Sequence, residues 1–335
     1  MKIEFNGMIK EAIFLGHEGE YIPNDINIAY GIDTNFLYGC GVSIVSILIQ
    51  NPDKEFNFHV FIDDSMGHQN IERFREICLT YNTKITLYYI DAKNLNKLPT
   101  TKNWTHAIYF RFIIAEYFKN KINYLLYLDA DIICHNKLNE LVSLTLSEEV
   151  AAVVAERDEK WWINRANSLD TPAISEGYFN SGVMYINLLN WQKQQITEKS
   201  IDLLMDENLA VKLSYPDQDV LNILLMRKVM YLQGIFNTQF SLNYELKDNP
   251  VYSVNEHTVF IHYVGPTKPW HEWASYSSAE PFHRARRVSP WNQVPLMVPS
   301  NSNYLRYCAK HQINQRKYIK GFISYIQYFI SKIKW

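Results

Sequence analysis

The sequence predicts an α/β protein: an open, mostly parallel sheet flanked by helices, with a small basic helical appendage at its C-terminal end. Three observations lead there. Apolar strand-like runs alternate with helix-spaced segments up to about residue 130. Of the 335 residues, 47% are hydrophobic and 14% aromatic, enough for a large core and against extended disorder. From Ser289 onward the chain becomes rich in proline, aromatics and basic residues. The expected organisation is an N-terminal extension over 1–25, a main domain over 26–288 and a basic, aromatic helical region over 289–335.

The elements follow in order. Residues 26–30, INIAY, read as a short strand closed by Gly31. Residues 38–50 carry Val42, Val45 and Ile49 at helical spacing, and 56–62 read as a strand running into Asp63 and Asp64. Phe74, Ile77, Cys78 and Tyr81 share one face of a helix over 71–81. A strand at 85–90, a helix at 108–118 and a buried strand at 124–128 complete the alternation. Strands separated by amphipathic helices imply parallel βαβ units, and ligands of such sheets collect beyond the carboxyl ends of the strands. Two polar clusters fall there: Asp33 with Asn35, and Asp129 with Asp131. Beyond them, 150–155 reads as a strand, 177–187 as an irregular strand, 191–205 and 217–226 as helices, and 259–263 as a strand. No internal repeat is present.

Charge and cysteine usage exclude several classes. The net charge of −2 argues against general nucleic-acid binding. After Glu280 there is no Asp or Glu, while Arg284, Arg286, Arg287, Arg306, Lys310, Arg316, Lys317, Lys320, Lys332 and Lys334 follow. This imbalance suggests an anionic neighbour for the tail. The N-terminus has no long apolar run behind a basic start and is interrupted by acids, so a signal peptide is not expected, and no apolar stretch is long enough to span a bilayer. Cys40, Cys78, Cys134 and Cys308 form no CxxC pair and fit reduced cytosolic thiols.

The segment LLYLDADI sets Asp129 and Asp131 one residue apart just past an apolar strand, where a turn lets both carboxylates face one ion. Hard divalent cations take oxygen ligands, few from protein and the rest from water and phosphates. A polar loop ending a strand is the bland alternative. Haloacid-dehalogenase-type phosphatases also place DxD after a strand, but near the start of the domain; here Ile132 and Ile133 follow, after a fourth strand. Downstream, YFNSGVMYINL (178–188) carries Asn180 and Gly182, YPDQDVLN (215–222) sets Asp217, Gln218 and Asp219 at a helix start, and HYVGPTKPWH (262–271) combines His262, Gly265 and Lys268. The PDQD string by itself is as well explained as a helix cap.

In order and spacing, LYLDADI, FNSGVMYINL, PDQDVLN and HYVGPTKPWH, together with NIAYGID, resemble glycosyltransferase family 8 from about Asn27 to Trp273. TKNWTHAIYFRFIIAEYF, FNTQFSLNYELKD and GPTKPWHEWA resemble the subgroup of bacterial enzymes that extend the outer core of lipopolysaccharide with α-linked glucose or galactose. The resemblance implies a GT-A, Rossmann-like fold and retaining transfer from UDP-glucose or UDP-galactose to a lipopolysaccharide core. It also implies Mg²⁺ or Mn²⁺ and a cytoplasmic place on the inner face of the bacterial inner membrane. A non-catalytic sugar-binding protein of the same fold is the remaining alternative, and it would have no use for metal ligands.

By position, the resemblance implies that Asp129, Asp131 and His262 hold the metal. The turn of Ala29, Tyr30, Gly31, Asp33 and Asn35 would hold uridine, with Ala130 beside the donor, and Gly265 and Lys268 would meet the diphosphate. Arg111 would lie near the donor sugar, its alternative being a surface helix charge. Asn180, Asp217 and Gln218 would line the hexose, and Glu156 the acceptor. Retention leaves two mechanisms: attack by Asp217 after rearrangement, or acceptor entry on the departing face with Gln218 stabilising the cationic sugar. Residues 317–335, KYIKGFISYIQYFISKIKW, read either as an interfacial helix on an anionic membrane or as a final helix docked on the body.

Overall fold

The computed structural model describes residues 5, 7–16, 26–63, 66–100 and 105–333. Parts of the expected N-terminal extension, Asp64, the TKNW start of one subgroup motif and residues 334–335 lie outside them. The chain forms two compact units. Unit one comprises Met1–Cys40, Asp53–Ala130 and Leu138–Asn237, and unit two Gly41–Pro52, Asp131–Lys137 and Thr238–Trp335.

The strands are β1 (Ile9–Leu15), β2 (Ile26–Ile32), β3 (Phe56–Asp63), β4 (Lys84–Ile90), β5 (Tyr124–Leu128), β6 (Ile132–Cys134), β7 (Ala151–Ala155), β8 (Phe179–Asn187), β9 (Val229–Leu232), β10 (Thr238–Gln239) and β11 (Phe260–His262). The helices that matter most for the site are α1 (Leu37–Gln50), α2 (His68–Tyr81) and α3 (Phe110–Phe118). Unit one holds an eight-stranded sheet in the order β1-β4-β3-β2-β5-β8-β7-β9. β4, β3, β2 and β5 run parallel, while β1 and β8 are antiparallel to their neighbours. The GT-A-type, mostly parallel sheet expected from the sequence is therefore present. Within the expected extension, the segment IKEAIFL forms an edge strand that its interrupted alternation concealed.

β3 is buried along its length except at Asp63, as a strand covered on both faces must be. The strand order turns at β2 and β5, so their carboxyl ends, and with them Asp33 and Asp129, flank the switch point where open sheets gather ligands. α3, FRFIIAEYF, is apolar nearly all round and buries Arg111 with its hydrophobic residues. Gly31 lets it approach: a Cβ there would stand 2.8 Å from the Cβ of Phe110. The helix expected over 191–205 is two, Leu188–Lys193 and Ile196–Leu204, parted where Gln195 takes a left-handed φ of 56°.

Unit two contains the sheet β10-β11-β6, in which β11 pairs antiparallel with β6 and His262 faces Ile132. The tail is a pair of helices, Ser302–Asn314 and Tyr318–Ile333, the first capped by the Asn301 side chain on Tyr304 N at 2.9 Å. Gly321 seats the second helix on the first, since its Cβ would meet Ile313 at 2.6 Å. Gly41 in α1 faces the buried Trp291 indole, and a Cβ there would lie 2.2 Å from ring carbons. Helix propensity favours Gly41→Ala by about 1 kcal/mol, but overpacking a fixed ring costs about 1–3 kcal/mol. We expect Gly41→Ala to lower the midpoint of urea unfolding, and an unchanged or higher midpoint would show that the indole can move aside.

Candidate active site

In unit one the site is organised by Arg111. Its guanidinium is buried and donates to Ser181 O at 2.9 Å, Tyr127 Oη at 3.1 Å and Asp129 Oδ1 at 3.1 Å. Its Nε lies 3.1 Å from Asp217 Oδ2. The surface-charge alternative for Arg111 is thereby set aside. Tyr127 also donates to Asp129 Oδ1 at 3.0 Å, and Asp129 N donates to Gly182 O at 2.8 Å. The carbonyls of Ser181 and Gly182 can turn this way because β8 bulges. Val153 pairs with Met184 but Val154 with Asn180, so 181–183 leave the ladder with β7.

The PDQD turn divides its work. Asp219 is fully buried and accepts from Ser214 N and Tyr215 N at 3.0 and 2.9 Å, from Tyr178 Oη at 2.5 Å and from both Nε and Nη2 of Arg165. It lies inside the helix Pro216–Leu225, whose N-cap Tyr215 makes no side-chain cap bond, and it reaches back to the two amides before it, reinforced by a buried cation. Asp217 and Gln218 are thereby set toward Arg111 and the bulge. Gln218 Oε1 accepts from Ser181 N at 3.0 Å, and its amide nitrogen stands 3.4 Å from Tyr178 Oη. Asn180 donates to Glu156 Oε2 at 2.8 Å and accepts from Gly182 N and Asn237 Nδ2, so the hexose and acceptor candidates meet. Arg165 and Asn237 were not found from the sequence, because no motif links residues 54 or 57 positions apart, while Tyr127 and Tyr178 stand in the quoted motifs without an expected role.

The uridine candidates fare unevenly. Asp33 caps the turn Thr34–Phe36, its Oδ1 accepting from Asn35 N at 2.9 Å and its Oδ2 from Thr105 Oγ1 at 3.0 Å. Asn35 is exposed beside it. Ala29 and Tyr30 are fully buried inside β2 and present no surface to a nucleotide, and Gly31 is accounted for by α3 packing. The periodicity that marks β2 thus places the Ala29 and Tyr30 side chains in the core, while Gly31 remains half-buried at the strand end.

In unit two, Asp131 immediately precedes β6 and His262 ends β11, so the antiparallel register places them side by side. Lys268 Nζ donates to Asp131 Oδ2 at 2.5 Å and to Tyr263 O at 2.8 Å. Burial opposes the charge of Asp131, but Lys268 and His262 outweigh it and hold the carboxyl well below the usual range. The lysine expected on the diphosphate thus rests on an acid in this structure. Gly265 has φ +88°, and a Cβ there would meet Ser241 Oγ at 2.9 Å. Ala130, between the two acids, is buried.

Asp129, Asp131 and His262 are a group with metal-ligand chemistry, each offering an atom within 4.8 Å of the others. The fit to a divalent cation has a second support. Asp131 Oδ1 is buried and accepts no hydrogen bond from the described residues, although His262 Nε2 stands only 3.2 Å away. A buried carboxylate oxygen and an imidazole nitrogen this close form a donor pair that suits a shared cation.

Burial pushes the Asp217 carboxyl up from 3.8 to about 6, against the pull of Arg111. The folded state therefore holds this proton more tightly than the unfolded chain. Its contribution to stability is full below pH 3.8 and is lost as pH rises through about 6. In Asp217→Asn, the urea midpoint should depend less steeply on pH across that window; an unaltered slope would contradict the assignment.

The sequence profile of glycosyl transferase family 8 matches residues 27–274, and that of the family 8 C-terminal region matches 276–332. The chain is 49% identical over 308 residues to a lipopolysaccharide 1,3-galactosyltransferase of Salmonella typhimurium, covering 92% of this chain and 91% of the relative. It is 48% identical over 311 residues to the lipopolysaccharide glucosyltransferase WaaO of Escherichia coli, with coverage of 92% and 91%. Among solved structures, the galactosyltransferase LgtC, in complex with donor and acceptor sugar analogs, superposes with a TM-score of 0.67 at 24% identity. That match covers 79% of this chain and 96% of LgtC.

Proposed function

The chain belongs to glycosyl transferase family 8, and from that premise we propose that it is a retaining hexosyltransferase that moves glucose or galactose from UDP to the outer core of lipopolysaccharide. The observation that carries this reading is the convergence of Asp129, Asp131 and His262 in a chain with close lipopolysaccharide galactosyl- and glucosyltransferase relatives. Identities of 49% and 48% to relatives of different donor leave both hexoses in the proposal.

A divalent cation held by these three residues would neutralise charge on the departing diphosphate; the imidazole favours Mn²⁺ over Mg²⁺ as that ion. Lys268, close to Asp131, would add a fixed positive charge where negative charge develops. Asp33 and Asn35 would meet the uridine. Arg111, Asp217 and Asn180 would orient the hexose, and Glu156 the acceptor hydroxyl. Both carboxylates of the PDQD turn are engaged by arginines, Asp217 by Arg111 and Asp219 by Arg165. That supports acceptor entry on the departing face, with a phosphate oxygen taking its proton and Gln218 stabilising the cationic sugar.

Mn²⁺-dependent release of UDP from each UDP-hexose, with truncated lipopolysaccharide cores as acceptors, tests the reading. Asp129→Asn and Asp131→Asn should each lower transfer by roughly 10²-fold or more, while Gln218→Ala keeps residual transfer. Full activity in both asparagine variants would overturn it, and a glycosyl adduct trapped on Asp217 would overturn the mechanism.

The acceptor is a glycolipid in this reading, and the last helix supports a place on an anionic membrane surface at the inner face of the inner membrane. Among the described residues no helix is long and apolar enough to cross a bilayer. Tyr318–Ile333 nevertheless exposes Ile319, Phe322, Ile326, Phe329, Ile330 and Ile333 beside Lys317, Lys320 and Lys332. An apolar face flanked by cations suits an acyl–headgroup boundary. Paired Ile319→Glu and Phe322→Glu changes should reduce sedimentation with phosphatidylglycerol vesicles about tenfold or more and spare UDP-sugar hydrolysis. Undiminished sedimentation would remove the membrane from the proposal.

A further inference from the structure

The first tail helix, Ser302–Asn314, buries one residue whose contacts concern neither the tail nor its surface. His311 is fully buried. Its Nε2 lies 3.0 Å from Asn243 Oδ1 and 3.2 Å from Thr267 Oγ1, and its Nδ1 lies 2.8 Å from Tyr276 Oη. Thr267, also fully buried, donates to the same Asn243 oxygen at 2.8 Å. A carbonyl oxygen can only accept, so this network places the imidazole proton on Nε2 and makes Nδ1 the acceptor from Tyr276. Burial pulls His311 down to about 4, which keeps the ring neutral and this arrangement intact at physiological pH.

Thr267 immediately precedes Lys268 in the turn that starts at Gly265. That turn is closed by His271 N on Lys268 O at 3.0 Å and by Lys268 N on His271 Nδ1 at 3.1 Å. On its other side, Gly265 packs on Ser241, two residues before Asn243. The same helix end adds two bonds: Asn314 to Glu245 O at 2.9 Å and Gln315 to Trp273 O at 2.7 Å. All of these residues belong to unit two.

We propose that His311 is a positioning residue for donor binding: through Thr267 and Asn243 it fixes the Gly265–His271 turn, and with it Lys268, so that the first tail helix is part of the donor site. The proposal rests on the reading that Lys268 meets the diphosphate. A neutral, fully buried hydrogen-bonding side chain holds a backbone in one geometry because any other leaves partners unsatisfied.

The experiment is calorimetric binding of UDP in the presence of Mn²⁺, together with steady-state UDP-hexose hydrolysis, on the full chain. In His311→Ala the UDP dissociation constant and the KM for UDP-hexose should rise about tenfold, with kcat changed less than about threefold. Thr267→Val, which keeps shape and removes the hydroxyl, should do the same and serves if His311→Ala fails to fold. His311→Gln, whose amide N–H can reach Asn243, should restore affinity, and Lys310→Ala on the solvent side of the same helix should leave it unchanged. A wild-type UDP affinity retained in both His311→Ala and Thr267→Val, even with lowered thermal stability, would reduce the network to a structural one and overturn the proposal. So would a His311→Gln variant as weak as His311→Ala. If the wild-type chain itself binds no UDP, the functional reading falls and takes this proposal with it.

Discussion

A guanidinium buried as deeply as that of Arg111 must be surrounded by acceptors, and much of unit one's strand-end architecture follows from that need. Burial alone would disfavour its charge; Asp217, Tyr127 and Asp129 outweigh the cost and hold the group more firmly cationic than a free arginine. To supply those acceptors the chain brings together a helix start, the end of β5 and the bulge of β8. The bulge is needed because a regular ladder would spend the Ser181 carbonyl on a neighbouring strand. The same bulge turns Ser181 N toward Gln218 and Gly182 O toward Asp129. One buried charge thus sets the orientation of three of the segments that carry the family's motifs.

Asp131 poses the complementary problem in unit two. A buried carboxylate is matched by Lys268 on one oxygen, while its second oxygen lies 3.2 Å from His262 Nε2. One oxygen is held by a fixed cation, and the other lies beside an imidazole, where a movable cation also fits. In the functional reading, a nucleotide diphosphate arriving with its metal ion would compete with Asp131 for Lys268. The lysine would then exchange one anionic partner for another without leaving its place beside Tyr263 O.

The sequence carried the sheet and the motifs well because both are local signals. Apolar runs such as FNFHVFI report burial on two faces, and LDAD, PDQD and HYVGPTK keep their spacing whatever surrounds them. Elements that depend on distant partners were not legible. β1 is held by its pairing with β4 rather than by its own alternation, and the break at Gln195 has no proline or glycine to announce it. The Arg165–Asp219 pair spans 54 positions, and the His311–Thr267 contact spans 44. Ala29 and Tyr30 show how one apolar run can belong both to a motif and to the core, since both are fully buried in β2.

The PDQD turn shows why a bland explanation and a functional one need not compete. Asp219 does what an acid at a helix start does by default, accepting backbone N–H groups, and Arg165 neutralises it. Asp217 is matched by Arg111, which also serves Asp129. Two guanidiniums therefore already answer for three carboxylates. A fourth anion at position 218 would be buried against Ser181 N and Tyr178 Oη with no cation in contact, a costly arrangement that the neutral glutamine avoids. The amide that is a poor nucleophile is thus the group the electrostatics allow there. With both acids engaged and the residue between them neutral, the charge distribution at the helix start agrees with the proposed retention without a covalent protein intermediate.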